Sequence, residues 1–377
     1  MTFNTAAAKT RLRTLRCRGV YVKLFLRIRA LRRYVVVVRR TGLCYDDDFS
    51  HAFCMTTSPR TISPAKAVLV AGSANLDFVV RAQHVPAPGE TVLGREFQTF
   101  PGGKGANQAV ACARAGAAQT RMLLALGADA FASTIEQSLR AANVQLHVVR
   151  VEDQASGTAF ICLADDAENA ITVAPGANAA LRGDHLSTLD NISHLLLQLE
   201  TPIDTVSSFA RAARAAGVSV ILNAAPACEL PPALLGALDV LIVNEGELAA
   251  ITGVHGKVAE AMAHIDVPCV IVTLGADGCC ARVRSEFHLQ PAFRITPVDT
   301  TGAGDTFCGA LVAAMSRGIA LAEALRRASA AAALACTRLG AQSSIPDYTE
   351  VEAFLQAHSA VGGEPLHDLA VYCGLPG

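Results

Sequence analysis

From residue 66 onward, short continuous apolar runs alternate with alanine-rich stretches of helical period. The runs are Val68–Gly72, Met122–Gly127, Leu195–Glu200, Val218–Asn223, Val240–Glu245 and Val270–Gly275. None shows the two-residue alternation of a strand with one wet face, so they predict parallel strands covered by helices on both sides. Most end in Gly, Asn or Glu. In an open parallel sheet the ligand crevice lies beyond the carboxyl ends of the strands, which makes this polar rim the candidate site.

Two stretches break the rhythm and read as hairpins. Phe78–Arg81 and the run from Thr91 to Thr99 flank Pro86-Ala87-Pro88-Gly89, and Thr158–Leu163 and Ala170–Ala174 flank the polar turn from Ala164 to Asn169. Both fall between major strands. They can form a small separate sheet over the rim, a lid, or ordinary edge hairpins of the main sheet.

Asp299-Thr300-Thr301-Gly302-Ala303-Gly304-Asp305 runs into a helical pattern carried by Phe307, Ala310, Leu311, Ala314 and Met315 and stopped at Gly318. Glycines at a helix N-terminus let backbone N–H groups approach an anion where the dipole favours negative charge. Asp305 has the wrong charge for holding phosphate and the right chemistry for taking a proton from an attacking hydroxyl; the plainer alternative is a helix cap. Pro101-Gly102-Gly103-Lys104-Gly105-Ala106-Asn107-Gln108 opens a second helix, expected from Ala106 to Ala115, as an anion turn with one cation and one amide. Gly72-Ser73-Ala74-Asn75-Leu76-Asp77 leaves the first strand with Asn75 and Asp77 on one side, a spacing suited to a vicinal diol. Neither the phosphate-loop NTPase pattern nor a dinucleotide fingerprint is present, which disfavours an oxidoreductase.

Composition adds an asymmetry. Residues 1–54 carry 12 Lys and Arg against 3 acids, and the remainder carries 20 against 30, so an acidic body follows a basic leader. An acidic body argues against nucleic-acid binding. The longest uncharged apolar run of the leader has five residues, too short to span a bilayer. Residues 1–65 read as an organelle transit peptide, a membrane-surface or nucleic-acid tail, or a segment outside the working protein, whose natural start is then Met55. The 12 cysteines are scattered without a Cys-x-x-Cys pair and read as reduced thiols of a cytoplasmic protein. The 10 histidines show no ligand spacing, so no transition-metal site is expected.

Over residues 66–358 the ordered motifs Gly-Ser-x-Asn-x-Asp, Gly-Gly-Lys-Gly-Ala-Asn, Gln-Leu-Glu, Asn-x-Ala-Pro-Ala, Asn-Glu-x-Glu, Thr-Leu-Gly-x-x-Gly, Asp-Thr-x-Gly-Ala-Gly-Asp-Thr-Phe and Gly-Ala-Gln resemble those of the ribokinase family of carbohydrate kinases. The resemblance implies a three-layer α/β/α sandwich on a mostly parallel sheet, with a β-sheet lid at about 78–100 and 157–175. It implies phosphorylation of D-ribose by ATP at the 5-hydroxyl, with Asp305 as base and the amides of Gly302, Ala303 and Gly304 as the anion hole. Asn75, Asp77, Gly103, Lys104, Asn107 and Glu200 would hold the sugar. Asn244, Thr273, Gly275, Gly278, Gly304 and Ser329 would serve ATP, with Glu247 near Mg²⁺. K⁺ would take oxygens of Asp299, Thr301, Ala335, Arg338, Gly340 and Ser344. A homodimer paired through the lid is a further implication. The leader and the tail at 359–377 have no counterpart in the family. Two rival functions stand beside this: a related kinase for deoxyribose, fructose or adenosine, and a sugar-sensing or nucleic-acid-tethered binding protein that has lost catalysis.

Overall fold

The computed structural model describes residues 66–165, 169–358 and 364–376, together with three short leader strands, β1 (Thr14–Cys17), β2 (Val20–Lys23) and β3 (Val37–Val38), which pair antiparallel in the order β1-β2-β3. Met55 and the remainder of the leader lie outside the described residues. Residues 1–61 and 62–377 are separate compact units.

The larger unit is built on a nine-stranded sheet. Its strands are β4 (Ala67–Ala71), β7 (Thr120–Gly127), β8 (Gln145–Val151), β11 (Ile192–Leu197), β12 (Ser219–Asn223), β13 (Val240–Asn244), β14 (Cys269–Thr273), β15 (Gly278–Val283) and β16 (Glu286–Pro291). They run in the order β16-β15-β14-β13-β12-β11-β4-β7-β8. From β14 to β8 every pairing is parallel, and only β15 and β16 are antiparallel. The continuous apolar runs therefore mark the strands covered on both sides.

Alternate residues of each strand enter different cores. Val68, Val70, Met122, Leu124, Leu196, Ile242 and Ile271 pack with α1 (Lys104–Arg114), α2 (Ala130–Ala141), α7 (Ala303–Ser316), α8 (Leu321–Ala335) and α9 (Tyr348–Ala357). Leu69, Leu123, Leu195, Leu197, Val220, Leu241 and Val270 pack with α3 (Ile203–Ala215), α4 (Pro232–Leu235), α5 (Glu245–Thr252) and α6 (Val258–Ala263). The arrangement is a three-layer α/β/α sandwich. Residues 364–373, beyond the expected end of the domain, form α10 (Glu364–Cys373), whose Leu369 and Cys373 are buried in the second core. Among the described residues no helix is long and apolar enough to cross a membrane.

A separate four-stranded sheet consists of β5 (Asn75–Arg81), β6 (Glu96–Gly102), β9 (Gly157–Leu163) and β10 (Asn169–Ala174) in the order β10-β9-β5-β6. Two antiparallel pairs, β5 with β6 and β9 with β10, are joined by a parallel pairing of β5 with β9. One end of this sheet feeds the site directly, because β5 begins at Asn75 and β6 ends at Gly102, one residue before the N-cap of α1.

Candidate active site

The first glycine turn closes on α7. Gly302 caps it with a left-handed φ of 73°, and a Cβ there would lie 3.2 Å from the Ala341 backbone, so close approach and dihedral both favour glycine. Gly304 faces open space, and the first-turn amides of a helix have no intrahelical acceptors. Together they form an exposed donor surface. Asp305 does not cap the helix. It lies in the first turn, 8 % exposed, and accepts from Asn107 Nδ2 on Oδ2 and from Gln108 Nε2 on Oδ1, each at 2.9 Å. Both donors belong to α1, which packs along α7 and starts at Lys104, two residues earlier than the apolar period suggested.

The second glycine turn is held by Glu200. Its Oε2 accepts from Ser73 Oγ at 2.6 Å and from the Lys104 amide at 2.9 Å. Gly103 has φ 86°, and a Cβ on it would come within 2.8 Å of the Asn75 amide, so the turn sits directly against the start of β5. Asp77 Oδ1 and Asn107 Oδ1 are buried without a hydrogen-bond partner. Two unpartnered acceptors beside a carboxylate are what a polyhydroxylated ligand would satisfy. Asn75 is 3 % exposed, and its Oδ1 takes a hydrogen bond from Asn178 Nδ2 at 2.8 Å.

Charge is concentrated here. Burial first, then the charges of Glu200 and Asp305, push the Asp77 carboxyl up to about 7. Burial alone would lower the Lys104 ammonium, but Asp305, Glu200 and Glu247 outweigh it and hold it above the usual lysine range. Burial likewise raises Glu247, against the Asn244 amide and Lys104. Asn244 and Glu247 cap α5 reciprocally, each side chain accepting the other's amide at 2.8 Å.

A cleft of about 570 Å³ runs from the first glycine turn along the edge of the sheet, lined by Thr273, Gly275, Gly278, Ala303, Gly304 and Ser329 among others. It gathers the residues expected to serve a nucleotide, except Asn244, which is not in its lining. Gly278, at φ 117°, could not take a Cβ without meeting the Gln290 carbonyl at 2.1 Å. The residues expected around K⁺ form a second cluster. Asp299 Oδ1 accepts from the Thr301 amide at 2.9 Å and its Oδ2 from the Gly340 amide at 2.8 Å, tying the two segments together. Burial opposes its charge, but these bonds and the Thr301 hydroxyl keep the carboxyl below its ordinary value. Ser344 is fully buried and donates to the Ala341 carbonyl, while the Arg338 side chain is paired with Glu350 and leaves only its backbone for an ion. The donor set is all oxygen around one carboxylate, which fits a hard monovalent cation. Among the described residues no group of three or more His, Cys, Asp or Glu could hold a metal.

Four polar residues were not singled out by the sequence: Asn178, which fixes Asn75 and the Ala74 backbone, and Gln108, Gln198 and Asn223, which join beneath Asp305. Gln108 lay within a motif but carried no assigned role. Gln198 and Asn223 likewise open the Gln-Leu-Glu and Asn-x-Ala-Pro-Ala motifs without an assigned role, and Asn178, in a short turn, lay outside every motif.

A covered parallel sheet whose two glycine turns bring a carboxylate to the mouth of a long cleft defines the class, a phosphoryl-transferring sugar kinase. The chain belongs to the pfkB family of carbohydrate kinases, whose model it matches over residues 65–348. It is 37 % identical over 303 residues to the ribokinase of Haemophilus influenzae, covering 77 % of this chain and 99 % of that one. With the ribokinase of Bacillus subtilis it shares 39 % over 293 residues, covering 76 % and 99 %. The Arabidopsis thaliana ribokinase structure, complexed with ribose and ATP, superposes with a TM-score of 0.73 at 35 % identity, over 78 % of this chain and 99 % of that one.

Proposed function

We propose that this chain transfers the γ-phosphoryl group of ATP to the primary 5-hydroxyl of D-ribose. The observation that carries the reading is Asp305, buried between two amide donors at the N-terminus of α7, with the cleft on one side and the unpartnered oxygens of Asp77 and Asn107 on the other. The similarity to ribokinases names the sugar.

Asp77, Asn107 and Asn75 would hold the ribose hydroxyls, with Glu200 holding the Gly102–Gly105 turn in shape around them. Asp305 takes the hydroxyl proton as the sugar oxygen bonds to the γ-phosphorus and the bond to the ADP oxygen breaks in line. Charge gathering on the phosphoryl oxygens falls to the amides from Gly302 to Gly304 and to Lys104, whose ammonium stays charged among three carboxylates. The Thr273, Gly275, Gly278 and Ser329 cleft takes the nucleotide, and closure of the lid excludes water. Asn244 and Glu247 would lie toward a Mg²⁺ carried by ATP, which when bound would neutralise phosphate charge. K⁺ at the Asp299 cluster would order the turn that carries Gly302 without touching substrate. The free thiols among the described residues support a cytoplasmic location for the enzyme.

The test is turnover of D-ribose against 2-deoxyribose, fructose and adenosine, with and without K⁺. Ribose is expected to give the highest kcat/KM, rising with K⁺; a preference for another acceptor by tenfold or more would transfer the assignment to that sugar or nucleoside.

The lid carries the proposed dimer contact. Val79, Ile161 and Ile171 lie side by side across β5, β9 and β10, and Ile171 is 56 % and Val173 43 % exposed on that face. Exposed apolar surface of this kind marks an association site. Ile171→Asp is expected to shift the protein from dimer to monomer in light scattering at micromolar concentration, while an unchanged mass would remove the lid from the interface.

A further inference from the structure

Beneath Asp305 lies a chain of carboxamides that the mechanism above does not use. Gln108 and Gln198 are fully buried and Asn223 is 8 % exposed. Gln108 Nε2 donates both to Asp305 Oδ1 and to Asn223 Oδ1, at 2.9 Å each, and its Oε1 accepts from Gln198 Nε2 at 2.6 Å. Asn223 Nδ2 donates to the Ile242 carbonyl at 3.3 Å.

The polarity of this chain is set from one end. A backbone carbonyl only accepts, so Asn223 must turn its nitrogen to Ile242 and its oxygen to Gln108. That oxygen requires an N–H from Gln108, whose second hydrogen then falls on Asp305. Gln198 holds the opposite side by donating to Gln108 Oε1. Neither carboxamide can flip without setting donor against donor or acceptor against acceptor in a buried place.

We propose that Gln108, locked by Asn223 and Gln198, is a positioning residue for Asp305. With Asn107 on Oδ2 and Gln108 on Oδ1, the carboxylate plane is pinned at both oxygens and keeps one lone pair on each for the incoming proton. The chain is anchored at the carboxyl ends of β11 and β12, so the rigid sheet rather than α7 alone sets the aim of the base. The inference rests on the reading of Asp305 as base and adds to it the residues that orient it.

The test uses the full chain with D-ribose and MgATP. Gln108→Met keeps the volume and removes the donors. It is expected to lower kcat roughly 10–100-fold while KM for both substrates stays within about twofold. In an Asp305→Ala background the same substitution is expected to have no further effect, because nothing remains to be aimed. Gln198→Leu, which does not touch Asp305, is expected to lower kcat a few-fold with KM unchanged, and it decides the matter should Gln108→Met fail to fold. Unchanged kcat in both glutamine variants, a loss confined to KM, or the same fold-loss with and without Asp305 would overturn the proposal. Full activity in Asp305→Ala alone would instead remove the base on which it rests, an outcome read separately from the glutamine variants.

Discussion

Asp305→Asn is expected to lower kcat by roughly 10²–10⁴, the range that a positioned general base contributes, with KM for ATP little changed. The reason for the split lies in the site. The cleft lined by Thr273, Gly275, Gly278 and Ser329 does not depend on the Asp305 side chain, so nucleotide binding survives. The substitution also has a structural cost that its near-identical shape conceals. Gln108 Nε2 is locked in place and requires an acceptor, so the asparagine must keep its oxygen there and turn its NH₂ to Asn107, whose carboxamide then has to flip its unpartnered Oδ1 inward and leave its own Nδ2 without a protein acceptor. A buried donor left unpaired costs about 1–3 kcal/mol, and urea unfolding should show a loss of that order alongside the loss of rate. Turnover above about a tenth of the wild-type value, in protein shown to be folded, would assign proton removal to another group.

What the sequence made legible follows from how strongly each element is buried. The parallel strands appear as uninterrupted apolar runs because helices cover both faces, and the two glycine turns announce themselves by their backbone needs. The lid was readable as two hairpins, but their union through a parallel pairing of β5 with β9, some eighty residues apart, leaves no local trace. The strands that escaped were the two edges, β8 and β16, and the antiparallel β15 beside β16. β8 alternates exposed and half-buried residues along Gln145–Val151, and β16 is polar over much of its length, so neither gives a continuous run. The helix α10 escaped because only a few of its residues, among them Leu369 and Cys373, are buried.

At the site the division is similar. Asp305 and Lys104 stand out by charge beside glycine and Asp77 by its spacing from Asn75, whereas the carboxamides that support them do not. Asn178, Gln198 and Asn223 reach the site from a short turn and two strand ends, each at least twenty residues from the next, and only the fold brings them together. Glu200 shows the limit from the other side. The resemblance implied a sugar ligand there, and the structure gives its Oε2 to Ser73 and to the Lys104 amide, so it also holds the glycine turn that opens α1.

Asp77→Asn is expected to raise KM for ribose by about 100-fold, to flatten the acidic limb of kcat/KM, and to stabilise the unliganded protein at alkaline pH. All three follow from one buried carboxyl. Burial, reinforced by Glu200 and Asp305, places its pKa at about 7, whereas in the unfolded chain it titrates near 3.8. The folded state therefore keeps a proton that the unfolded state has released. Stability associated with Asp77 is full below about 3.8 and is lost as pH rises through about 7, and the difference of roughly three units amounts to about 4 kcal/mol. Asparagine carries no charge, so its advantage in Tm should be large at pH 8 and smaller at pH 5. Sugar hydroxyls reverse the balance by donating to Asp77 Oδ1, which has no partner in the protein, and they favour the charged form. Ribose binding near pH 6 should then release a proton, seen in calorimetry as a heat that changes with the ionisation enthalpy of the buffer, and kcat/KM should fall as pH drops below about 7. In Asp77→Asn both signals should vanish. A buffer-independent heat in the wild type, or an Asp77→Asn variant less stable at pH 8 than its parent, would mean that Asp77 is already satisfied without sugar. The cost this residue imposes on the empty fold is the measure of what it holds in reserve for the ligand.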